Sequence, residues 1–262
     1  MPASLPAPWI VAGALLVEGA IGWPRRLSHP VVWIGALIGA LESRWNGGER
    51  PTATRRALGV LTVAILLVVA GGAGWALNTL VAATPFWSGL VLLLLCGATG
   101  LAARSLFDHV RAVVRPLKAG ELPAARQAVG MIVGRDTDGM DEKQVAAAAL
   151  ESLAESFCDG VVAPVFWFVV GGLPGLFAYK AINTADSMIG HMEPRWRAFG
   201  WAAARADDVV NWIPARIAGV LIVLGGGQGG RIMWRDAGKH ASPNAGWPEA
   251  AMAGALRVRL GG

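Results

Sequence analysis

Charged residues are scarce in this sequence, and their scarcity argues against a soluble domain. Only 16% of the residues are Asp, Glu, Lys or Arg, whereas 54% are hydrophobic and the mean hydropathy is +0.48. A soluble domain usually carries about 25% charged residues. The composition of these 262 residues therefore indicates an integral membrane protein.

Cysteine and the common site motifs are also lacking. The two cysteines, Cys96 and Cys158, have no CxxC or Cys/His spacing, and the four histidines form no HExxH, so neither a disulfide framework nor a zinc site is predicted. A GxxxxGK[ST] phosphate loop is absent. The net charge of +5 comes with no nucleic-acid-binding signature, so we expect no nucleic acid partner.

Apolar runs predict a polytopic membrane protein with about four to five membrane segments. A membrane helix needs roughly 20 apolar residues, and the clearest runs are Leu58–Val81 and Phe86–Ala103. Shorter or interrupted runs are Trp9–Trp23, Val161–Tyr179 and Trp212–Gly227. Strand alternation and internal repeats are absent, so the predicted fold class is all-α, with some short or broken segments. Amphipathic cytoplasmic helices are predicted at Arg104–Lys118, from Ala124, at Asp141–Phe157 and from Pro248.

The distribution of Arg and Lys predicts the orientation in the membrane. Basic residues concentrate in 24–56, 104–160 and the C-terminal tail, so these segments are predicted to be cytoplasmic. If 161–179 crossed fully, 180–211 would lie on the opposite side. The run is interrupted by Pro164, Gly171, Gly172, Pro174 and Gly175. We therefore predict a broken or re-entrant element, which would let polar residues on both sides of it share one cytoplasm-accessible cavity.

Carboxylates crowd the segment "RDTDGMDEKQVAAAALESLAESFCDG" just before this apolar run. Glu151 and Glu155 share a helix face at i, i+4, where like charges repel unless a cation or proton lies between them. Asp159 follows one turn later, and Asp136 lies in the Gly-flanked turn "VGRDTDG". Asp136, Glu155 and Asp159 are therefore predicted to bind Mg²⁺, which takes one or two carboxylates, waters and phosphates. A solvated helix face neutralised by Arg is the alternative.

Three cationic residues stand out as binding candidates, each with a structural alternative. Arg135 can bind phosphate or carboxylate with two parallel hydrogen bonds. Lys180 follows the broken apolar segment and shares a helix face with Asn183, although a snorkelling lysine is the alternative. Arg216 lies in an apolar segment, where a charge is expensive and is expected to be functional or paired.

Several long blocks of the sequence resemble one family. The blocks are "HPVVWIGALIGALE" (29–42), "IVGRDTDGMDEKQVAAAALESLAES" (132–156), "DGVVAPVFW" (159–167), "YKAINTADSMIGH" (179–191), "FGWAAARADDVVNWIPAR" (199–216) and "HASPNAGWPEAAMAGAL" (240–256). They resemble, in order, the CobD/CbiB family of cobalamin biosynthesis. The chain departs from the pattern at Ser156, where the family usually has Asn. It also ends at "LRVRLGG", where relatives usually continue, so a C-terminus shortened relative to the family is expected.

The resemblance implies an adenosylcobinamide-phosphate synthase, an acid-amine ligase. Its expected reaction is ATP-dependent amide formation between adenosylcobyric acid and 1-aminopropan-2-ol or its phosphate. Residues 1–262 are then a single multi-pass domain in the bacterial inner membrane, with the active site facing the cytoplasm. The implied cofactor is Mg²⁺, with ATP as co-substrate, and the implied partners are the corrinoid, the amine and lipid. Self-association or contact with later membrane enzymes of the pathway is compatible with this placement.

The family blocks contain the candidate site residues. The catalytic candidates are Glu151, Glu155, Lys180 and Asp186. The substrate-binding candidates are Arg135, Thr137, Asn183, Ser187, Asp208, Asn211, Arg216, His240 and Asn244. The alternative function is a membrane corrinoid transporter or binding protein without catalysis, which a broken helix and an intramembrane arginine also suit. Transport favours internal repeat symmetry, whereas catalysis favours separated polar motifs that converge on one cavity.

Overall fold

A computed structural model describes residues 6–24 and 28–260 of the chain. Throughout these two ranges the secondary structure consists of helices and turns, without a β-strand, so the predicted all-α class is confirmed. Arg25 and Arg26, which contribute to the predicted cytoplasmic charge, lie outside the described residues.

The helices of the described chain have the following bounds. They are α1 Ala7–Ile21, α2 Pro30–Trp45, α3 Thr52–Ala83, α4 Phe86–Ala98, α5 Ala103–Ala119, α6 Leu122–Gly130, α7 Glu142–Phe157, α8 Ala163–Ile189, α9 Trp201–Val210, α10 Trp212–Gly226, α11 Gly230–Asp236 and α12 Gly246–Leu256. A π-helical turn, Cys158–Val162, follows α7, and a 3₁₀ turn, Ala237–Lys239, follows α11. The helices predicted at 104–118, from 124, at 141–157 and from 248 are confirmed as α5, α6, α7 and α12.

The chain divides into two compact units. The first unit comprises Met1–Leu101 and Ala163–Val210, and the second comprises Ala102–Val162 and Asn211–Gly262. Thus α1 to α4, α8 and α9 belong to the first unit, and α5 to α7 and α10 to α12 belong to the second.

The first unit is built around the pairing of α3 with α8. Leu66 of α3 is buried in one cluster with Ala181 of α8 and with Phe199. A Cβ on Gly74 would lie 2.6 Å from the carbonyl oxygen of Leu173, so the absent side chain lets the two backbones approach. Val68, also on α3, is 74% exposed, as expected for a side chain that faces lipid.

Three helical stretches of the described chain are long and apolar enough to cross a membrane: Thr52–Ala83, Phe86–Ala119 and Glu142–Ile189. A fourth results if α9 and α10 are counted as one broken span, and α1 is apolar but shorter. The polytopic prediction is confirmed, although the described residues form three to four long segments and the shorter α1, where four to five segments were predicted.

The break predicted within 161–179 lies at Gly172. This residue has φ 61° and ψ −153°, which is not helical, in the middle of α8. Side-chain-bearing residues rarely adopt such a positive φ, so glycine is required there. Pro174 follows two residues later and cannot donate a backbone hydrogen bond, which accounts for the position of the break.

The second unit contains the carboxylate-rich segment 132–156 and residues 240–256. Val113 of α5, Val129 of α6 and Val145 of α7 are fully buried in one cluster. Farther along, α11 and α12 approach so closely that a Cβ on Gly254 would lie 2.7 Å from the Cα of Gly229. These contacts place α7 and α12, the two helices that supply carboxylates to the candidate site, within one packed body.

Candidate functional site

Helix α7 is fixed at its start by side-chain capping. The Asp141 carboxylate accepts a hydrogen bond from the backbone N–H of Gln144 (2.8 Å), and the Gln144 side chain accepts one from the N–H of Asp141 (2.8 Å). This capping box satisfies backbone donors that the first helical turn leaves unpaired. At the residue after Glu151, the helix is also held by the Ser152 hydroxyl, which donates to the carbonyl of Ile132 at 2.9 Å.

The turn that carries Arg135 is held by its own polar residues. The Thr137 hydroxyl donates to the carbonyl of Arg126 (3.1 Å), and the Arg126 Nε donates to the carbonyl of Met140 (2.6 Å). The Asp136 carboxylate accepts a hydrogen bond from the backbone N–H of Asp138 at 3.0 Å. Thr137 is buried, so the structure uses this predicted substrate-binding residue to fix the turn.

Arg135 and Glu151 form an ion pair that lines two cavities of the second unit. The Arg135 Nη2 lies 2.6 Å from the Glu151 Oε2. The smaller cavity, about 350 Å³, is also lined by Glu155, His240 and Glu249. The larger cavity, about 690 Å³, extends on the other side towards α11 and α12. Four predicted site residues, Arg135, Glu151, Glu155 and His240, thus line the smaller cavity.

The smaller cavity is rich in carboxylates. His240 Nε2 lies 3.6 Å from Glu249 Oε1, and the Glu249 side chain is only 13% exposed. Burial raises the pKa of Glu249, His240 and Arg135 oppose this rise, and Glu155 and Glu151 add to it; together these effects bring the pKa to about 7. Glu249 is therefore a carboxyl group that exchanges its proton near neutral pH.

The larger cavity has a basic lining on an apolar floor. Arg135 and Glu151 line it together with Arg235, Asp236 and Arg259. Two hydrogen bonds join the Arg235 guanidinium to the Asp236 carboxylate, at 3.0 and 2.6 Å. Because three arginines face two carboxylates, the lining carries net positive charge.

Arg216 is held between two indole rings and an amide. Its guanidinium lies 4.2 Å from the ring centroid of Trp212 and 4.8 Å from that of Trp247. Its Nη1 donates to the carbonyl of Trp212 at 2.6 Å and to Oδ1 of the buried Asn244 at 3.3 Å. Asn211, another candidate, is also buried. The structure therefore pairs Arg216, as the sequence leads one to expect for a charge in an apolar segment.

The remaining candidates lie in the first unit. On α8, Lys180 Nζ donates to Asn183 Oδ1 at 3.3 Å, and the Ser187 hydroxyl donates to the Asn183 carbonyl at 2.9 Å. Asp186 lies on the same helix. Asp208 of α9 pairs with Arg205 at 2.9 Å. The convergence of these residues with the carboxylates of α7 remains a prediction.

A protein-only metal site is not assembled in the described chain. Among residues 6–24 and 28–260, no three His, Cys, Asp or Glu side chains are grouped to hold a metal ion. Of the predicted magnesium ligands, Asp136 bonds to its own turn, Asp159 lies in the π-helical turn and Glu155 lines the smaller cavity. The magnesium site therefore remains a prediction, and only Glu155 of this set lines a cavity.

Comparison with known proteins decides the family. The family model described as CobD/Cbib protein matches residues 11–262. The chain belongs to the CobD/CbiB family.

Curated CobD/CbiB relatives match along most of their length. The cobalamin biosynthesis protein CobD of Rhodobacter capsulatus is 52% identical over 256 residues, which cover 95% of this chain and 80% of the relative. The protein of the same name from Brucella suis is 47% identical over 266 residues, covering 97% and 81%. That of Rhizobium meliloti is 45% identical, with the same coverage. No solved structure matches the chain.

Four charged cavity residues of this CobD/CbiB protein were not among the candidates predicted from sequence. They are Glu249, Arg235, Asp236 and Arg259. Glu249 lies in the family block 240–256, and a carboxylate within such a block was the feature of the sequence that could have identified it. Arg235 and Arg259 lie outside the blocks. Basic residues in these segments are explained by the positive charge that commonly flanks membrane segments on the cytoplasmic side. Only the packing of α11 and α12 brings them to Arg135.

Proposed function

We propose that this protein is an enzyme of cobalamin biosynthesis that joins adenosylcobyric acid to 1-aminopropan-2-ol or its phosphate through an ATP-dependent amide bond. Membership of the CobD/CbiB family and the names of the relatives support the pathway. The observation that carries the reaction class is the Arg135–Glu151 ion pair, which lines two adjacent cavities of opposite charge.

An amide ligase has to hold an anion and a cation next to each other. The nucleotide and the acyl phosphate are anionic, whereas a free amine is protonated at neutral pH. The basic cavity suits the first group and the acidic cavity suits the second. The ion pair in their common wall would keep the two substrates close, which is the main contribution a protein makes to a phosphoryl-transfer reaction.

The proposed chemistry has two balanced steps. A propionate oxygen of the corrinoid attacks the terminal phosphorus of ATP, and ADP leaves, which gives an acyl phosphate. The bound ammonium group first gives up one proton, which Glu249, with a pKa of about 7, is suited to accept at neutral pH. The free amine nitrogen then attacks the acyl carbon, inorganic phosphate leaves, and the nitrogen loses its second proton to the departing phosphate as the amide forms.

Magnesium would accompany ATP as part of the nucleotide substrate. Mg²⁺ commonly uses one or two protein carboxylates together with substrate phosphates, so it does not require the three-ligand group that the described residues lack. Glu155 and Glu151 are the cavity carboxylates available to it. ATP is cytoplasmic, and the basic segment 104–160 is predicted on that side, so we place the cavities on the cytoplasmic face of a bacterial inner membrane.

The deciding experiment follows the corrinoid by mass spectrometry. Purified full-length protein is incubated with adenosylcobyric acid, ATP, Mg²⁺ and either aminopropanol or aminopropanol phosphate. We expect the mass of the amide product, dependent on ATP, and loss of turnover in Glu155→Gln. Glu142→Gln, in the first turn of the same helix and away from both cavities, should retain turnover.

Arg135→Lys separates charge from geometry in the same assay. Lysine keeps the charge but loses the paired hydrogen bonds of the guanidinium, so we expect the Michaelis constant of at least one anionic substrate to rise about tenfold or more. An unchanged constant for every substrate would leave Arg135 a structural role only. Corrinoid binding without any ATP-dependent mass change would instead favour the non-catalytic binding protein or transporter.

A further inference from the structure

The larger cavity of the second unit has the size and lining of a nucleotide site. Its volume of about 690 Å³ lies within the range of roughly 300–1,000 Å³ typical of cofactor and small-molecule sites. The apolar part of its wall includes Ile232 of α11, Ala253 of α12, Val258 and Leu260. An apolar floor next to a basic rim fits a ligand with a flat ring at one end and phosphates at the other.

Arg259 is the arginine in this cavity that is left to bind a ligand. Arg135 is paired with Glu151, and Arg235 is paired with Asp236. Lys239 also binds Asp236, at 2.6 Å. Within residues 6–24 and 28–260, Arg259 has no carboxylate at ion-pair distance. Its guanidinium therefore keeps all its donors for an anion that enters the cavity.

The chain that follows α12 positions Arg259. Arg257 adopts a left-handed conformation, φ 57° and ψ 40°, which ends α12 and turns the chain back. Its guanidinium donates two hydrogen bonds to Gln228 Oε1, at 3.2 and 2.9 Å, and Gln228 Nε2 donates to the carbonyl of Ala255 at 2.8 Å. The Val258 N–H donates to the carbonyl of Ala253 at 3.0 Å.

These bonds fix residues 257–260, which we call the strap and of which the last three line the cavity. A residue with a side chain rarely adopts a positive φ, and it does so where surrounding contacts determine the conformation. Here the hydrogen bonds of Arg257 with Gln228 and of Val258 with Ala253 fix the conformation of Arg257. Val258, Arg259 and Leu260 of the strap all line the cavity, so the apolar and the basic parts of its lining adjoin there.

We propose that the larger cavity binds the polyphosphate of the nucleoside triphosphate, with Arg259 of the strap contacting the phosphates and the apolar floor contacting the base. This assignment rests on the proposed ATP-dependent ligation, and it adds the location of the nucleotide. Arg135, in the wall shared with the smaller cavity, would then lie between the nucleotide and the amine.

The test measures binding rather than turnover. The full-length protein in detergent or nanodiscs is titrated calorimetrically, in Mg²⁺ buffer, with a non-hydrolysable ATP analogue, tripolyphosphate, adenosine and aminopropanol phosphate. In Arg259→Gln we expect the dissociation constants of the ATP analogue and of tripolyphosphate to rise at least tenfold. Adenosine binding should change little, because it has no phosphate. Arg231→Gln, an arginine on α11 outside the cavity, is the matched control and should bind all four as the wild type does.

A second variant tests the strap itself. Gln228→Ala removes the acceptor of Arg257 without touching the cavity, so we expect a several-fold weaker affinity for the ATP analogue. A wild-type affinity in this variant would refute the positioning role of the strap.

The outcomes separate this assignment from the proposed reaction. Wild-type affinity for the ATP analogue in Arg259→Gln would overturn the location, even if amide product still formed. Loss of aminopropanol phosphate binding alone would assign the cavity to the amine's phosphate and would also overturn it. Arg259-dependent nucleotide binding without any amide product would support the site and refute the ligation.

Discussion

Replacing Glu249 by Gln tests whether the smaller cavity holds a carboxyl group that is protonated at slightly acidic pH. Gln has nearly the shape of protonated Glu but cannot ionise. Glu249 faces Glu151 and Glu155 of α7, Arg135 of the preceding turn and His240. Burial is the largest cause that raises its pKa, His240 opposes the rise, and the two glutamates add to it, so that the pKa moves from an ordinary 4.5 to about 7.

The sign and size of the effect follow from proton linkage. The folded protein holds the Glu249 proton to a higher pH than the unfolded chain, so this group's contribution to stability is fully present below pH 4.5. It declines as the pH rises and is lost once the pH passes about 7. A tenfold change in proton affinity corresponds to about 1.4 kcal/mol, so the shift has an upper limit of about 3.5 kcal/mol, which solvent screening of this partly buried group reduces to about 1 to 3 kcal/mol.

The measurement is the free energy of unfolding in mixed detergent micelles, followed by tryptophan fluorescence between pH 4.5 and 8. Glu249→Gln and the wild type should have similar stability at the acidic end, and the variant should become the more stable by 1 to 3 kcal/mol, in order of magnitude, towards pH 8. The comparison is repeated with His240→Asn in both proteins to separate the histidine. Parallel pH profiles of the two proteins would refute a raised pKa at Glu249.

Three further changes test the fold and the site. Gly246→Ala should destabilise the second unit, because its Cβ would overlap a backbone carbonyl, whereas Gly238→Ala, which meets nothing within 4 Å, should be tolerated in the same thermal unfolding assay. Gly172→Ala should cost about 1–3 kcal/mol because of its positive φ, and Gly171→Ala, in open space, should cost much less. Glu155→Gln should lose amide formation but keep the wild-type unfolding transition. Normal turnover in that variant would contradict a role for its charge.

Helix positions were predictable because they depend on local pattern. The alanine-rich run after Asp141 combines helix formers with a capping signature, and α7 begins there through the Asp141–Gln144 box. The break in α8 was predictable from the Gly and Pro cluster, although five candidate breakers did not indicate which one would leave the helical conformation. Gly172 leaves the helical conformation, whereas its neighbour Gly171 lies in open space and keeps helical geometry.

The composition of the cavities was predictable only in part. Arg135, Glu151 and Glu155 are close in sequence and lie on one helix and the turn before it, so local reasoning found them. Glu249 and Arg259 reach the same region through contacts across roughly a hundred residues of chain, and no periodicity predicts such contacts. Thr137 donates its hydroxyl to a backbone carbonyl, which the sequence did not predict, and its role in substrate binding stays a prediction.

The carboxylates that precede the apolar segment do different things. Their number alone is therefore not a count of groups available to a metal ion. Asp136 and Asp141 accept hydrogen bonds from backbone N–H groups of their own turns, so their charge serves local structure. Glu151 is paired with Arg135, which leaves Glu155 as the carboxylate on α7 that faces the smaller cavity together with Glu249. The repulsion between the i, i+4 carboxylates Glu151 and Glu155 is thus reduced, because Arg135 pairs with Glu151. In the proposed ligation, Glu155 and Glu249 would therefore be the carboxylates that face the cationic amine, while Arg135 lies beside the anionic substrate in the wall shared by the two cavities.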